Sequence, residues 1–239
     1  MSNDYFQFKQ FLVRHGRCAM KVGTDGVLLG AWAPVEGAAR MLDVGTGTGL
    51  VALQLAQRAP GACITAVEID PEAAAQAEEN VAASPWGERI RVVCHDFGTL
   101  RRDWPGEPPC DLIVSNPPYF TEALVCPDPA RRMARHTESL PYGVLLREAA
   151  AWLAPEGRVA LIFPADAEPR VVEAAALAGL YPCRRMGVYT KPGKPLRRVL
   201  MAFSARLVPC VGEELFIHQA DGGYSEGYRR LTGEFYLRF

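Results

Sequence analysis

The stretch RMLDVGTGTGLVALQLAQRAP, residues 40–60, contains an apolar run, a glycine-rich turn and a helical pattern in direct succession. Residues 40–45 are typical of a short strand, and the leucines and alanines that follow recur at helical spacing up to Pro60. The glycines between them are Gly45, Gly47 and Gly49. Glycine permits a tight turn and lets a ligand approach the backbone closely. This order predicts a nucleotide-binding unit whose ligand lies at the carboxyl end of the strand.

The same alternation of strands and helices continues along the chain. We predict strands at 63–70, 90–96, 110–115, 158–164, 181–190 and 197–207, and helices at 71–84, 142–157 and 168–180. Such alternation favours a parallel α/β sheet with right-handed crossovers, and near-continuous apolar strands indicate burial on both faces. We therefore predict a single domain over residues 1–239, with a short N-terminal extension over about residues 1–39 and a C-terminal tail.

Composition limits the partners and the location of the protein. The net charge is −1, so nucleic acid would have to bind a local basic patch rather than the whole surface. Candidate RNA-binding residues are Arg131, Arg132, Arg135, Lys191 and Lys194. There is no C-x-x-C pair and no obvious metal site or obligate protein partner. No apolar run approaches a membrane span and the N-terminus lacks the apolar core of a signal peptide, so we expect a cytoplasmic protein without membrane contact.

Two acidic residues end the strands that follow the glycine turn. Glu68 stands at the distance typical of an acid that binds ribose hydroxyls, and Asp96 ends the next strand, where it could contact an adenine amino group. The turn reads G-x-G-x-G and not the dinucleotide pattern G-x-G-x-x-G, with Asp43 two residues ahead of Gly45. This pattern resembles the class I S-adenosylmethionine-dependent methyltransferases. The resemblance implies a Rossmann-like, doubly wound, mostly parallel seven-stranded sheet whose last strand is antiparallel.

The segment DLIVSNPPYF, residues 111–120, ends an apolar strand with two adjacent prolines. Prolines fix the backbone, so they would hold the Asn116 side-chain oxygen and the Pro117 carbonyl as two acceptors for the hydrogens of an exocyclic amine. Pro118 completes the rigid turn, and Tyr119 could stack on a base. NPPY resembles the motif of amino-group methyltransferases, which include adenine-N6 enzymes acting on nucleic acids and glutamine methylators of release factors. The motif alone leaves both open.

Further segments resemble the bacterial tRNA(Val) adenine-N6 methyltransferase family. They are FQFKQFLVRHGRCAMKVGTDGVLLGAW (6–32), SPWGERI (84–90), SNPPYF (115–120), RRVLMAFS (197–204) and YSEGYRRLTGEFYL (224–237). The resemblance implies methylation of the adenine at position 37, beside the anticodon of tRNA(Val), with S-adenosylmethionine as cofactor. It further implies cofactor-binding roles for Lys21, Gly23, Thr24, Asp25, Asp43, Gly45, Gly47, Glu68 and Asp96, and a role in holding the adenine for Asn116, Pro117, Pro118 and Tyr119.

Two other functions remain open from the sequence. The first is glutamine N5-methylation of a protein, although only about 40 residues precede the glycine turn, fewer than a protein-gripping helical domain needs. The second is a cofactor-binding RNA-binding protein without catalysis, which the intact Asn116 and Tyr119 disfavour. An anticodon loop suits the chemistry, because an adenine in a single-stranded loop costs less to unstack than one in a duplex.

Overall fold

The computed structural model describes residues 4–18, 21–117 and 140–239. Five of the site residues predicted from sequence lie outside these ranges, namely Pro118, Tyr119, Arg131, Arg132 and Arg135. The other predicted site residues all lie inside them.

A small hairpin precedes the alternating strands and helices. It consists of β1 (Tyr5–Gln7) and β2 (Leu12–Arg14). The strands of the central sheet are β3 (Arg40–Val44), β4 (Cys63–Glu68), β5 (Ile90–Cys94), β6 (Cys110–Ser115), β7 (Leu153–Pro164), β8 (Tyr181–Tyr189), β9 (Leu196–Ser204) and β10 (Val211–Phe216). The α-helices are α1 (Thr24–Trp32), α2 (Leu50–Arg58), α3 (Pro71–Ala82), α4 (Phe97–Asp103), α5 (Tyr142–Trp152), α6 (Glu168–Leu177) and α7 (Glu226–Thr232).

The described strands pair in the order β10-β8-β9-β7-β6-β3-β4-β5. Strands β3, β4, β5, β6 and β7 run parallel to one another, and β9 is antiparallel to both β7 and β8. Strand β8 therefore points the same way as the parallel strands, so the loop after β8 emerges at their carboxyl ends. This arrangement confirms the predicted doubly wound, mostly parallel sheet, and β9, the seventh strand of the prediction, is the antiparallel one.

The predicted number of strands was wrong, because the described sheet contains β10 as an eighth strand. Strand β10 pairs in parallel with β8 at the edge of the sheet. Its sequence, VGEELF, lies in the segment that we expected to be a C-terminal tail, and only Leu215 within it is buried. An edge strand with one buried side chain lacks the continuous apolar run from which the other strands were predicted.

Hydrophobic cores lie on both faces of the sheet. Met41 and Leu112 belong to the core that α1 and α2 cover. Leu42 and Ile113, one residue further along each strand, belong to the opposite core, which α5 and α6 cover. Side chains of a strand alternate between faces, so each of these strands contributes to both cores. Burial of such a side chain stabilises the fold by about 1.5–3 kcal/mol.

Helix α5 ends earlier than predicted, at Trp152 rather than at residue 157. Strand β7 begins at once with Leu153 and contains Pro155, and its register against β6 shifts between Cys110 and Leu112. Proline disfavours the helical conformation of the residue before it and lacks the amide that a helix would need. The helix therefore ends before Pro155. Residues 153–157, which were predicted to form the end of the helix, form the start of β7 instead.

Candidate active site

The carboxyl ends of four neighbouring strands bring together Gly45, Glu68, Asp96 and Asn116, four of the residues that were predicted to bind the cofactor or the adenine. Val44 pairs with Ser115 of β6 and with Val67 of β4, so Gly45 lies between Asn116 on one side and Glu68 on the other. Glu68 in turn pairs with Cys94 of β5, two residues ahead of Asp96. Neighbouring strands are about 4.8 Å apart. These side chains therefore share one edge of the sheet, which we call the catalytic edge.

The glycine turn has the backbone conformation that only glycine adopts without strain. Gly45, Gly47 and Gly49 have φ angles of +69°, +55° and +80°. The amides of Gly45 and Thr46 donate to the carbonyl of Val67 at 2.9 and 3.0 Å, which fixes the turn to β4. Apart from the adjacent residues of the chain, no atom of residues 4–18, 21–117 and 140–239 lies within 4 Å of the position that a Cβ would take at Gly45 or Gly47. A ligand can therefore approach the backbone at both glycines.

Glu68 joins the glycine turn to the start of the loop after β4. Its Oε2 accepts from the amide of Gly47 at 2.8 Å, and its Oε1 accepts from the amides of Ile69 at 2.9 Å and Asp70 at 3.1 Å. The residue is only 9% exposed. A carboxylate offers about four acceptor positions. Three are used, so Oε2 retains one for a hydroxyl group of a ligand.

Asp43 lies beneath the turn rather than in the open cleft. It is buried, and its Oδ2 accepts from Thr46 Oγ1 at 2.6 Å and from the amide of Ala52 at 3.1 Å. Burial raises the pKa of Asp43 to about 7, against the opposing effect of these two hydrogen bonds. Asp43 thus fixes the turn to the first turn of α2, and the structure shows it as a support of the predicted cofactor site.

Asp96 is the N-cap of α4, and its Oδ1 accepts from the amide of Gly98 at 2.8 Å. The side chain is exposed at the catalytic edge. Helix α4 was not predicted from the sequence. Aspartate is a preferred N-cap residue because its side chain accepts from a free amide of the first helical turn. Asp96 therefore stabilises the start of α4 and also lies at the catalytic edge.

The predicted N-terminal motif, Lys21 to Asp25, lies beside the glycine turn. Helix α1 begins at Thr24 with Gly23 as its N-cap. A Cβ on Gly26 would lie 3.1 Å from Leu50 Cδ2, at the start of α2, so the first turns of the two helices are in close contact. Arg198 Nε donates to Asp25 Oδ2 at 2.8 Å, which ties the motif to the start of β9.

The preceding residues also reach the catalytic edge. Burial, together with the nearby carboxylates of Glu68 and Asp70, raises the pKa of Cys18 to about 11. Arg17 forms an ion pair with Glu79 of α3. Cys18 therefore lies near the end of β4 and the start of α3, and Arg17 lies beside α3.

Asn80 is a structural residue of the site that the sequence analysis missed. Its Oδ1 accepts from the amide of Arg14 at 2.8 Å, and its Nδ2 donates to the carbonyls of Arg14 and Thr48, each at 2.8 Å. The residue is 1% exposed, so one amide joins β2, α3 and the glycine turn. The available signal was a polar asparagine on the face of α3 that carries the buried Ala73 and Ala77.

Asn116 and Pro117 are the described part of the proline motif. Ser115 Oγ donates to the carbonyl of Val44 at 2.8 Å, which fixes the end of β6 against the end of β3. Asn116 follows half-buried, and Pro117 is buried.

Lys191 and Lys194 lie in the loop between β8 and β9, which opens at the catalytic edge. They are several strands away from Asn116 and are not part of the cluster around it.

Known proteins similar to this chain identify its family. The profile of the methyltransferase small domain family matches residues 23–168. The tRNA1(Val) (adenine(37)-N6)-methyltransferase of Bacteroides fragilis is 52% identical over 100% of both chains. The enzymes of the same name from Bacteroides thetaiotaomicron and Tolumonas auensis are 54% and 48% identical, each over at least 99% of both chains. The chain belongs to the family of bacterial tRNA(Val) adenine-N6 methyltransferases.

Solved structures agree with this assignment at the level of the fold. A predicted O-methyltransferase of Agrobacterium tumefaciens has a TM-score of 0.67 at 20% identity, over 88% of this chain and 96% of its own. TrmN from Thermus thermophilus has a TM-score of 0.50 at 25% identity, over 70% of this chain and 43% of its own. Relatives and solved structures together confirm the predicted resemblance to S-adenosylmethionine-dependent methyltransferases. The chain is a methyltransferase that uses S-adenosylmethionine.

The catalytic edge fits this cofactor. None of the described residues fills the space above Gly45 and Gly47, and Glu68 keeps an acceptor position next to it. Among the described residues, no group of three His, Cys, Asp or Glu side chains could hold a metal ion. Within residues 4–18, 21–117 and 140–239, no helix has both the length and the apolar character that crossing a bilayer requires.

Proposed function

We propose that this methyltransferase modifies the N6 amine of adenine 37 in the anticodon loop of tRNA(Val). The observation that carries the proposal is that relatives with this printed activity are about half identical to the chain over its whole length. The position of Asn116 next to the glycine turn supports it, because the amine and the methyl group must meet there. A tRNA substrate also implies action in the cytoplasm.

For the cofactor, the proposal assigns direct contacts to the glycine turn, Glu68 and Asp96. The backbone at Gly45 and Gly47 is accessible, and Oε2 of Glu68 keeps a position for a ribose hydroxyl. Asp96 supplies an exposed carboxylate at the end of β5. Residues 21–25 close the site from the side of α1, and Asp43 supports the turn from below.

For the chemistry, the proposal assigns the acceptors to Asn116 and Pro117. The lone pair of an adenine amine is delocalised into the ring, so the nitrogen is a poor nucleophile. Hydrogen bonds from its two N–H groups to the Asn116 side-chain oxygen and the Pro117 carbonyl return electron density to nitrogen. S-adenosylmethionine supplies an electrophilic methyl group. Acceptors held in place before the reaction stabilise the charge that develops on the amine, and Pro118 and Tyr119 are proposed to complete this adenine site.

For the RNA, the proposal assigns phosphate contacts to Lys191 and Lys194, and to Arg131, Arg132 and Arg135. Lys191 and Lys194 lie in a loop that opens at the catalytic edge, which supports their role. The net charge of −1 gives the whole molecule no general attraction for RNA, so local clusters have to supply it.

Nucleoside mass spectrometry tests the proposal. Purified protein is incubated with methyl-labelled S-adenosylmethionine and a tRNA(Val) transcript, and a transcript with guanine at position 37 is the matched control. We expect labelled N6-methyladenosine from the first transcript only. Equal labelling of both transcripts would reject the proposed nucleotide. A parallel incubation replaces the tRNA with a release factor, and labelling of its glutamine with no labelling of either transcript would favour the alternative protein substrate.

A further inference from the structure

Two aromatic rings lie side by side where β8 and β10 end. Tyr189 is the last residue of β8, and it pairs in register with Phe216, the last residue of β10. Their rings are stacked with centroids 5.0 Å apart and planes inclined by 24°. Both side chains are half-buried, and the Tyr189 hydroxyl donates to Glu214 Oε1 at 3.1 Å. The pair therefore forms a fixed aromatic surface at one end of the sheet.

A second pair of stacked rings follows Phe216 along the chain. The amide of His218 donates to the carbonyl of Thr190 at 2.9 Å, which keeps the two chain segments together beyond the strands. The His218 ring stacks on Tyr224 at 4.9 Å between centroids, and Tyr224 is 37% exposed. We call the four rings of Tyr189, Phe216, His218 and Tyr224 the aromatic end.

Unneutralised cations stand next to the aromatic end. Lys191, Lys194 and Arg197 lie in the turn between β8 and β9 and at the start of β9. The turn is tight, since the amide of Lys194 donates to the carbonyl of Lys191 at 3.1 Å. In the part of the chain that the structure describes, none of the three side chains forms an ion pair with a carboxylate. Their charge is therefore available to an anionic partner.

The aromatic end lies at the catalytic edge, at a defined distance from the adenine acceptors. Strand β8 is three positions away from β6 in the sheet, and β10 is four positions away. The register of the sheet places Arg185 level with Ser115, so Tyr189 and Phe216 lie about three residues beyond Asn116 along the strands. With about 4.8 Å between strands and about 3.3 Å per residue, Tyr189 and Phe216 are roughly 17 and 22 Å from Asn116. Successive stacked nucleotides rise about 3.4 Å. The distance therefore corresponds to about five to six stacked nucleotides of one strand.

We propose that the aromatic end binds a base of the same RNA strand that presents the target adenine. The base stacks on the Tyr189 and Phe216 rings, and the three neighbouring cations neutralise the flanking phosphates. A basic groove lined with aromatic rings is the usual way in which proteins hold single-stranded nucleic acid. This inference rests on the proposed function, because it assumes that the substrate is RNA with an unpaired loop.

The test uses the full chain with Tyr189→Leu, which keeps an apolar side chain against Phe216 but removes the ring. Its matched control is Tyr181→Leu. Tyr181 is 37% exposed and is the first residue of the same strand, so it lies at the end of the sheet away from the catalytic edge. Binding of a tRNA(Val) transcript is titrated at several salt concentrations. We expect Tyr189→Leu to weaken binding about tenfold at every salt concentration, with the salt slope unchanged, since stacking releases no counterions.

A further variant separates the ring from its hydroxyl group. Tyr189→Phe keeps the ring and should bind RNA as the wild type does, while affinity for S-adenosylmethionine should be unchanged in all three variants. Wild-type affinity in Tyr189→Leu, or an equal loss in Tyr181→Leu, would overturn the inference. Failure of the wild-type protein to methylate the transcript would instead reject the proposed function, so the two failures are distinguishable.

Discussion

Replacement of Asn80 by alanine tests whether one buried amide holds the N-terminal segment against the glycine turn. The side chain makes three hydrogen bonds, to the amide and the carbonyl of Arg14 and to the carbonyl of Thr48. Asn80→Ala removes all of them and leaves three backbone groups without these partners. We therefore expect both a loss of stability and weaker binding of S-adenosylmethionine.

The expected loss follows from the surroundings of these groups. A buried polar group left without a partner costs about 1–3 kcal/mol. The hydrogen bond to Thr48 is buried, whereas those to Arg14 are partly exposed. Water can therefore replace Asn80 as a hydrogen-bond partner of the Arg14 backbone, but less readily at Thr48. We expect Asn80→Ala to lower the free energy of unfolding by roughly 2–4 kcal/mol.

Urea denaturation of the full chain measures this change. The matched control is Glu78→Ala, an exposed position on the same helix, which should stay within about 0.5 kcal/mol of the wild type. Calorimetry of S-adenosylmethionine binding gives the second readout. Equal unfolding free energies for the two variants would refute the role assigned to Asn80, whatever the change in affinity.

The remaining predictions concern the chemistry, the RNA and the pH dependence. Asn116→Ala should lower the methylation rate by about 10²–10³-fold at unchanged cofactor affinity; a near-normal turnover would contradict the acceptor role. Lys191→Ala with Lys194→Ala should weaken tRNA binding and reduce the salt slope by about one unit per lost phosphate contact; an unchanged slope would place the RNA elsewhere. Burial raises the pKa of Asp43 to about 7, so from about pH 4 to pH 7 the folded state holds a proton that the unfolded chain has released. The free energy of unfolding should therefore fall over this range by up to about 1.4 kcal/mol per pH unit, a slope that Asp43→Asn should lack in urea titrations.

Elements whose pattern lies in consecutive residues were predictable from the sequence. The apolar run of β3, the glycines after it and the acids at 68 and 96 each carry their signal locally, and the sheet places them at one edge as expected. The glycines and the acids each lie at or just after the end of a strand, and the carboxyl ends of parallel strands meet at one edge of the sheet.

Other features depend on contacts between distant segments. Helix α1 has buried residues on every side, because its glycines pack against α2; a Cβ on Gly30 would lie 2.3 Å from Gln54 Oε1. Such a helix has no polar face, so periodicity does not reveal it. The three bonds of Asn80 join residues up to 66 positions apart, and no local pattern encodes them.

The bonding of Glu68 has a consequence for the interpretation of mutants. Glutamine at this position would turn one of its two oxygens into a donor, and that donor would face a backbone amide that also donates. The fold thus requires an anion here even before a ligand binds, so an inactive Glu68→Gln variant would report a displaced loop as readily as a lost ribose contact. Amide exchange at Gly47 and Ile69, measured without cofactor, separates these two causes: faster exchange indicates a displaced loop, and unchanged exchange with weaker binding indicates a lost contact.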